Sequence, residues 1–518
     1  MSNKLTLKIL FYFQSIAFAL SQVWGFRLVI GQSTSTGLMP ILNFSDSSLY
    51  LSQLNAVLLG NTNFPLWFIY EHQGFGGSPA SNPIYLFWGL LGKLFGEGIF
   101  ETYLAMTFLS SLITYFAIDC LLNNLDINFK QRLLFTPIIA IFGIGYGLGR
   151  PSPTQLTLCL LIIGLTEVTR KEERFLRINL WGILLLITNP LYAIVFIFFL
   201  GLTFIAYRRL SFNNIFKIIP LAISSVLFVS HQESQSDNPV LPRFGIVSSH
   251  LPGAIRPTLL LIAITTILIL ISRNRQNINV KRIVLLNFAV IFAINSQIIS
   301  GKVFEMESHF RYAVNLMLGI SSIQILNCSI QKKIFPRLLS PIIVTLMTLI
   351  WTISWPSSIN ARVYTQQELK ILKELKNSKY LNKVFLVKQN QVENDFYRFL
   401  PLNSDIKLYW HPDLTFYNLS HDEIINRYGC AIDEKYSWRN FLEDRSLIYG
   451  HKFENLKQLS KKEKYFSLGK SPDYNLLELN QSRSDFHKLK DIYYSCTQND
   501  PKYEIDYLLM HNKPLQYK

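Results

Sequence analysis

Charge is scarce in this chain. Only 16% of its 518 residues are Asp, Glu, Lys or Arg, against 49% hydrophobic residues, 14% aromatics and a positive mean hydropathy of +0.23. That balance excludes an ordinary soluble enzyme of this length. Charges are also nearly absent from the middles of the long apolar runs, where ion-coupled transporters and proton pumps carry them. Asp119 and Glu167 fall near the ends of their runs, within reach of water. Paired glycine-interrupted halves, the mark of inverted-repeat transporters, are missing as well. Cysteine usage says little: Cys120, Cys159 and Cys328 sit in or beside apolar runs as small hydrophobes,. Cys430 and Cys496 share the polar C-terminal part and are able to pair if that compartment is oxidising,.

What is present is a series of apolar runs of roughly 16 to 23 residues between Lys8 and Trp355, about the length a helix needs to cross a bilayer,. They predict eleven spans, near 9–30, 99–122, 133–149, 154–168, 178–189, 191–207, 214–230, 257–272, 283–300, 310–329 and 338–355. The fifth and sixth are halves of one greasy run broken at Asn189-Pro190, because proline disfavours helix in the residue before it,. Residues 84–96 are too short to span and read as an interfacial helix,. The first run has no clear small-x-small cleavage site, so it reads as a retained anchor rather than a cleaved signal,. Lys and Arg crowd one set of connections, among them TRKEERFLR, YRRLSFNNIFK, RNRQNINVKR and QKKIFPR, and this puts the N-terminus in the cytoplasm,. The long loops 31–98 and 231–256 and everything after the last span then face the outside, the periplasm or an organelle lumen. The net charge of +16 needs no nucleic-acid partner; membrane lipids are the expected anionic neighbours,.

The expected architecture is thus an all-α polytopic membrane domain, residues 1–356, followed by a small soluble α/β domain, residues 357–518. In the latter, QQELKILKEL predicts an amphipathic helix, Val384–Val387 and DIKLYW predict strands, and SHDEIINRYG predicts a helix capped by Ser420 and stopped at Gly429,. It holds no Gly-rich phosphate loop and no Ser/His/Asp signature, and His411 and His421 read as surface or structural residues.

Polar chemistry concentrates in the outer loops. His72, His231, His250 and His309 all fall there, with Asp46, Glu71, Glu305 and Glu307. In NFSDSSLYLSQ, Leu51, Leu54 and Leu58 recur at helical spacing up to Gly60, so Asp46 is placed to cap a short interfacial helix,. A carboxylate there is also able to hold a divalent cation or take a proton from an incoming hydroxyl, and the two roles are compatible. In EMESHFR, helical spacing pairs Glu305 with His309 and Glu307 with Arg311, either as an interfacial salt-bridge cluster or as a site,. In a site, Lys302, His309 and Arg311 would hold phosphate oxygens while a glutamate assists a cation. Arg150 is a further phosphate contact or a snorkelling turn residue. Glu71 and His72 sit beside the glycine-rich stretch QGFGGSP, as substrate contacts or as loop structure.

On these features, namely the inside N-terminus, the acid of DSSLYL in a long first outer loop, the basic inner loops and the short hairpin LLITNPLYAIVFIFF, residues 9–355 resemble the GT-C class of polytopic glycosyltransferases. That class includes protein O-mannosyltransferases and aminoarabinose transferases. The resemblance implies a polyprenyl-phosphate-linked sugar donor as partner and Asp46 as the catalytic or metal-binding acid. Many members carry paired acids, Asp-x-Asp or Asp-Glu; here Ser47 and Ser48 follow Asp46. Two other functions compete: a flippase of lipid-linked glycans using a polar path such as Asn295, Ser296 and Gln297, and a non-catalytic anchor for the C-terminal domain.

Overall fold

A computed structural model describes residues 2–24, 26–42, 47–61, 82–144, 153–170, 174–207, 212–234, 243, 247–248, 255–271, 278–300, 302–303, 310–330, 361–388, 395–417, 419–454, 456–457, 474–498, 501–510 and 513–516. Helix α1 (Ser2–Trp24) is followed after a break by α2 (Arg27–Thr36), so the single span expected at 9–30 is two helices. Strand β1 (Ile41–Leu42), α3 (Ser47–Leu58), α4 (Pro83–Phe95) and α5 (Ile99–Asn124) come next. Helix α6 (Phe129–Ile138) contains Pro137 and passes into a π-helical segment, Ile139–Ile144; proline removes one ladder donor and crowds the preceding turn. Then come α7 (Leu158–Thr169), α8 (Phe175–Thr188) and α9 (Pro190–Ala206). The break expected at Asn189-Pro190 is there: the Asn189 side chain accepts from Tyr192 N and Pro190 takes the first helical position,.

The helical part continues with α10 (Ile219–Ser234), β2 (Val247–Ser248), α11 (Ile255–Ile271), α12 (Ile278–Ile294), β3 (Lys302–Val303) and α13 (Arg311–Ile330). By length and composition alone, Leu5–Trp24, Ile99–Asn124 and Ile278–Ser300 are long and apolar enough to cross a membrane. Thr154–Thr169, Phe175–Thr188, Pro190–Ala206 and Ile219–Phe228 are apolar but shorter. The run expected at 338–355 lies outside the described residues. Inside the bundle, Asn287 of α12 donates to Thr265 Oγ1 of α11 at 2.9 Å and to Ser321 Oγ of α13 at 3.0 Å, tying three helices in an apolar setting,. At the ends read as cytoplasmic, Asp119 accepts from Arg132 at 2.8 Å, and buried Glu167 pairs with Arg170 at 3.3 Å.

Past the membrane part, β4 (Ala361–Arg362) returns to pair antiparallel with β1, Ile41 opposite Arg362. Helix α14 (Gln366–Leu375) starts on a capping box, Thr365 with Glu368, and Arg362 grips the Glu368 carboxylate with two bonds of 2.9 Å,. The expected strand Val384–Val387 forms as β5, all four residues buried. It is followed by α15 (Asp395–Asn403), β6 (Lys407–Leu408), a 3-10 turn at Pro412–Phe416 and α16 (His421–Ala431). Helix α17 (Tyr474–Thr497) leads to β7 (Tyr507–Met510) and β8 (Lys513–Gln516). The sheet order is β6-β5-β7-β8, parallel across β6, β5 and β7 with β8 antiparallel at the edge.

Ser420 caps α16 as expected, but Gly429 does not stop it; the helix runs on to Ala431. Gly429 instead marks a crossing, because a Cβ there would lie 2.6 Å from Ile492 Cγ2 and 3.3 Å from Leu489 O of α17. One residue on, Cys430 and Cys496 form a disulfide with their Cα atoms 5.5 Å apart, the pairing the sequence left open. Lys388, just after β5, donates to Cys430 O at 2.8 Å and Ile432 O at 3.1 Å, closing the end of α16,. Burial pulls its pKa down to about 8.

Among the described residues the buried apolar side chains form two clusters. One fills the helical bundle. The other joins Phe26, Met39, Leu51, Leu54, Tyr85 and Tyr103 to Phe385, Trp410, Tyr428 and Leu509, so the connection between α2 and α5 and the C-terminal part share one core. Helix α3 exists as expected, yet it is not interfacial: Leu51 and Leu54 are wholly buried in that shared core, and Ala56 and Val57 are wholly buried too. Helix α4 is two-faced, with Tyr85 and Trp88 buried and Phe87, Leu94 and Phe95 exposed.

Candidate functional site

Of the sequence-derived candidates, Asp46, Glu71, His72, Arg150, Glu305, Glu307 and His309 lie outside the described residues. Lys302 is described in its backbone alone, as the β3 residue opposite Ser248 of β2. Arg311 opens α13 and is exposed.

Their described neighbours are joined by hydrogen bonds at one end of the bundle. Ser48, two residues beyond Asp46, donates from Oγ to Asp413 Oδ2 at 2.5 Å. One turn on, Ser52 Oγ lies 3.1 Å from Tyr417 Oη. The next residue, Gln53, accepts from Asn82 N at 3.1 Å, and the Asn82 side chain donates to Thr188 O at the end of α8. Asn189 donates in turn to Thr157 Oγ1 at 3.0 Å. Gln155, five residues beyond Arg150, donates to Tyr312 Oη at 2.6 Å, and Tyr312 adjoins Arg311. These bonds link the first turns of α3 and α13, Asn82 before α4 and Gln155 and Thr157 before α7.

The C-terminal part covers this end through residues 411–419. Arg243, between α10 and β2, is buried, with its guanidinium donating to Thr415 O at 3.3 Å and Leu419 O at 2.5 Å. Burial lowers its pKa to about 10, still a cation at neutral pH. Its own carbonyl accepts from His451 N at 2.8 Å. That approach requires Gly450: its φ is +56° and a Cβ would come within 2.3 Å of Arg243 O,.

His411 is a buried residue rather than a surface one. Its Nδ1 accepts from Asp413 N and its Nε2 faces Arg398 O, each at 3.1 Å, which fixes the neutral tautomer with the proton on Nε2,. Burial holds its pKa below the usual histidine value, so Asp413 Oδ2, 3.6 Å from Nδ1, faces a neutral ring,. His421 is half-buried, its Nε2 2.8 Å from Asp485 Oδ2, which also accepts from Tyr449 Oη at 2.6 Å. Burial works to raise the pKa of Asp485, but the bonds from His421 and Tyr449 outweigh it and leave the carboxyl below its ordinary value.

Sequence reasoning missed Asp413, Tyr417, Gln155 and Tyr312. Nothing local marks them, since each gains its role from a partner at least 157 residues away. For a divalent cation at Asp46, the described residues contribute no group of three His, Cys, Asp or Glu side chains.

No family model matches the chain, and no curated protein matches it in sequence. Among solved structures it is similar to the crystal structure of the Archaeoglobus fulgidus oligosaccharyltransferase in complex with Zn and sulfate, at 14% identity and a TM-score of 0.45, over 77% of this chain. The chain spans 62% of the length of that protein.

Proposed function

We propose that this chain is an integral membrane glycosyltransferase that takes a sugar from a polyprenyl-phosphate-linked donor at the outer membrane face. The observation that carries the reading is the convergence at one bundle end. The hydrogen bonds Ser48–Asp413, Gln53–Asn82, Asn82–Thr188, Asn189–Thr157 and Gln155–Tyr312 tie the first turns of α3 and α13 to the residues before α4 and α7, and in the sequence Ser48, Gln155 and Tyr312 closely follow Asp46, Arg150 and Arg311. Eleven crossings, a cytoplasmic N-terminus and an extracytoplasmic domain from residue 357 complete the reading. The Cys430–Cys496 disulfide supports that placement, since such bonds persist in oxidising compartments,.

In the reaction, the acceptor hydroxyl oxygen attacks the anomeric carbon as the bond from that carbon to the phosphate oxygen breaks. Asp46 takes the hydroxyl proton, or orients the hydroxyl through a divalent cation, and the polyprenyl phosphate leaves with the bonding pair. Lys302, His309, Arg311 and Arg150 are the groups for the phosphate charge, with Glu305 and Glu307 as further acids and Glu71 and His72 as substrate contacts. Transfer from a polyprenyl-phosphate sugar, measured with Asp46→Asn protein, is expected to drop about a hundredfold or more. Undiminished transfer would exclude the role.

A polar path for flipping finds less support. The buried Asn287, Thr265 and Ser321 bond to one another, and Asn295 Nδ2 donates to Ile291 O of its own helix at 2.7 Å.

A further inference from the structure

We propose that Asp413 is a positioning residue of this site: through the Ser48 hydroxyl its carboxylate fixes the first turn of α3, the helix that begins at Ser47, directly after Asp46 in the sequence. The inference rests on the glycosyltransferase reading above. Ser48 and Asp413 are both buried, at 3% and 1% exposure, so this bond forms away from solvent. Ser48 and Ser52 stand one helical turn apart on the same face of α3, and Asp413 and Tyr417 meet them from a single 3-10 turn and its end,.

That turn is held from behind. His411 accepts the amide of Asp413, Arg243 binds the carbonyls of Thr415 and Leu419, and the Thr415 hydroxyl donates to Leu447 O. A clamp of neutral groups would pin a helix equally well. A carboxylate in the interior is costly when the basic side chain beside it, His411, is neutral. The bond from Ser48 brings Asp413 to the first turn of α3, the end of a helix whose dipole favours an anion,. Asp413 therefore supplies, from 365 residues away, an acid at the helix end where the first loop has serines after Asp46. It is too buried to meet substrate, so it acts through Ser48.

The test uses the full-length protein with a synthetic polyprenyl-phosphate hexose as donor, reading release of polyprenyl phosphate and amide hydrogen exchange across residues 47–58. Ser48→Ala and Asp413→Ala are expected to lower kcat roughly ten- to a hundredfold, the loss of one hydrogen bond to a charged group. KM for the donor is expected to stay unchanged, and exchange of the first α3 turn to quicken by a similar factor. Ser48→Thr, which keeps the hydroxyl, is expected to restore kcat. If Asp413→Ala does not fold, Ser48→Ala, which deletes a single oxygen, decides alone. Inactive Asp46→Asn alongside fully active Ser48→Ala overturns the inference and leaves the function standing. Active Asp46→Asn overturns the function itself, and unchanged exchange in Ser48→Ala then overturns the positioning role as well.

Discussion

Replacing Gly429 by alanine sets two effects of opposite sign against each other. In an ordinary helix interior the change stabilises by about 1 kcal/mol, because alanine restricts the unfolded chain and glycine does not. In α16 the new methyl would sit 2.6 Å from Ile492 Cγ2, 2.8 Å from Ile492 Cβ and 3.3 Å from Leu489 O. Rotation of the isoleucine cannot clear its own Cβ, and the carbonyl is backbone, so the helices must separate. The disulfide one residue away resists that separation. Overpacking of this kind costs about 1–3 kcal/mol, so after the gain of about 1 kcal/mol the net expectation is a loss of up to about 2 kcal/mol. Thermal unfolding of the detergent-solubilised protein, followed by tryptophan fluorescence, measures it. In an Ile492→Ala background the same substitution is expected to become neutral or stabilising, a coupling that a double-mutant cycle isolates. A raised midpoint for Gly429→Ala alone would refute the close-crossing argument.

Three further expectations concern other parts of the fold. Asn287→Ala is expected to lower the thermal midpoint in detergent by the equivalent of about 1 kcal/mol, since it unties three helices; an unchanged midpoint would show the network to be idle. Replacing Cys430 and Cys496 by serine opens a closure of 66 residues, which the chain-entropy relation values at about 4 kcal/mol; chemical denaturation under non-reducing conditions reads the difference. Lys388 titrates near 8 in the fold against 10.5 unfolded. From pH 8 to 10.5 the unfolded chain therefore holds the extra proton and stability rises with pH; below pH 8 both states are charged, so the slope vanishes and the full cost of burying the cation remains,. A stability profile of Lys388→Met that keeps the full wild-type slope in that window would contradict it.

Local pattern carried much of the helical part and of the C-terminal strands. Val384–Val387 formed as read, Ser420 capped its helix, and Asn189-Pro190 broke the long run where proline sterics require. Gly429 was misread because a glycine near the end of a helical pattern signals both a stop and a close crossing, and the sequence around it does not contain Ile492. Helix α3 was misplaced at an interface for the same reason. Its apolar stripe was visible, but the partner that buries it, the C-terminal part, begins some 300 residues later. The candidate acids followed from loop position and residue type, whereas Asp413 depends wholly on a tertiary contact that no window of sequence spans.

The shared core has a consequence for how the protein is made. Gln32 bonds to the backbone of Tyr364, Met39 to Asn403 and Ser48 to Asp413, across 332, 364 and 365 residues. At a synthesis rate of about 5–20 residues per second, residues 31–98 wait roughly 20 to 70 s for the rest of their core to emerge. During that interval Leu51, Leu54 and Tyr85 have no completed interior to enter. Biogenesis of this chain thus calls for something that shields residues 31–98 until the last third of the chain arrives.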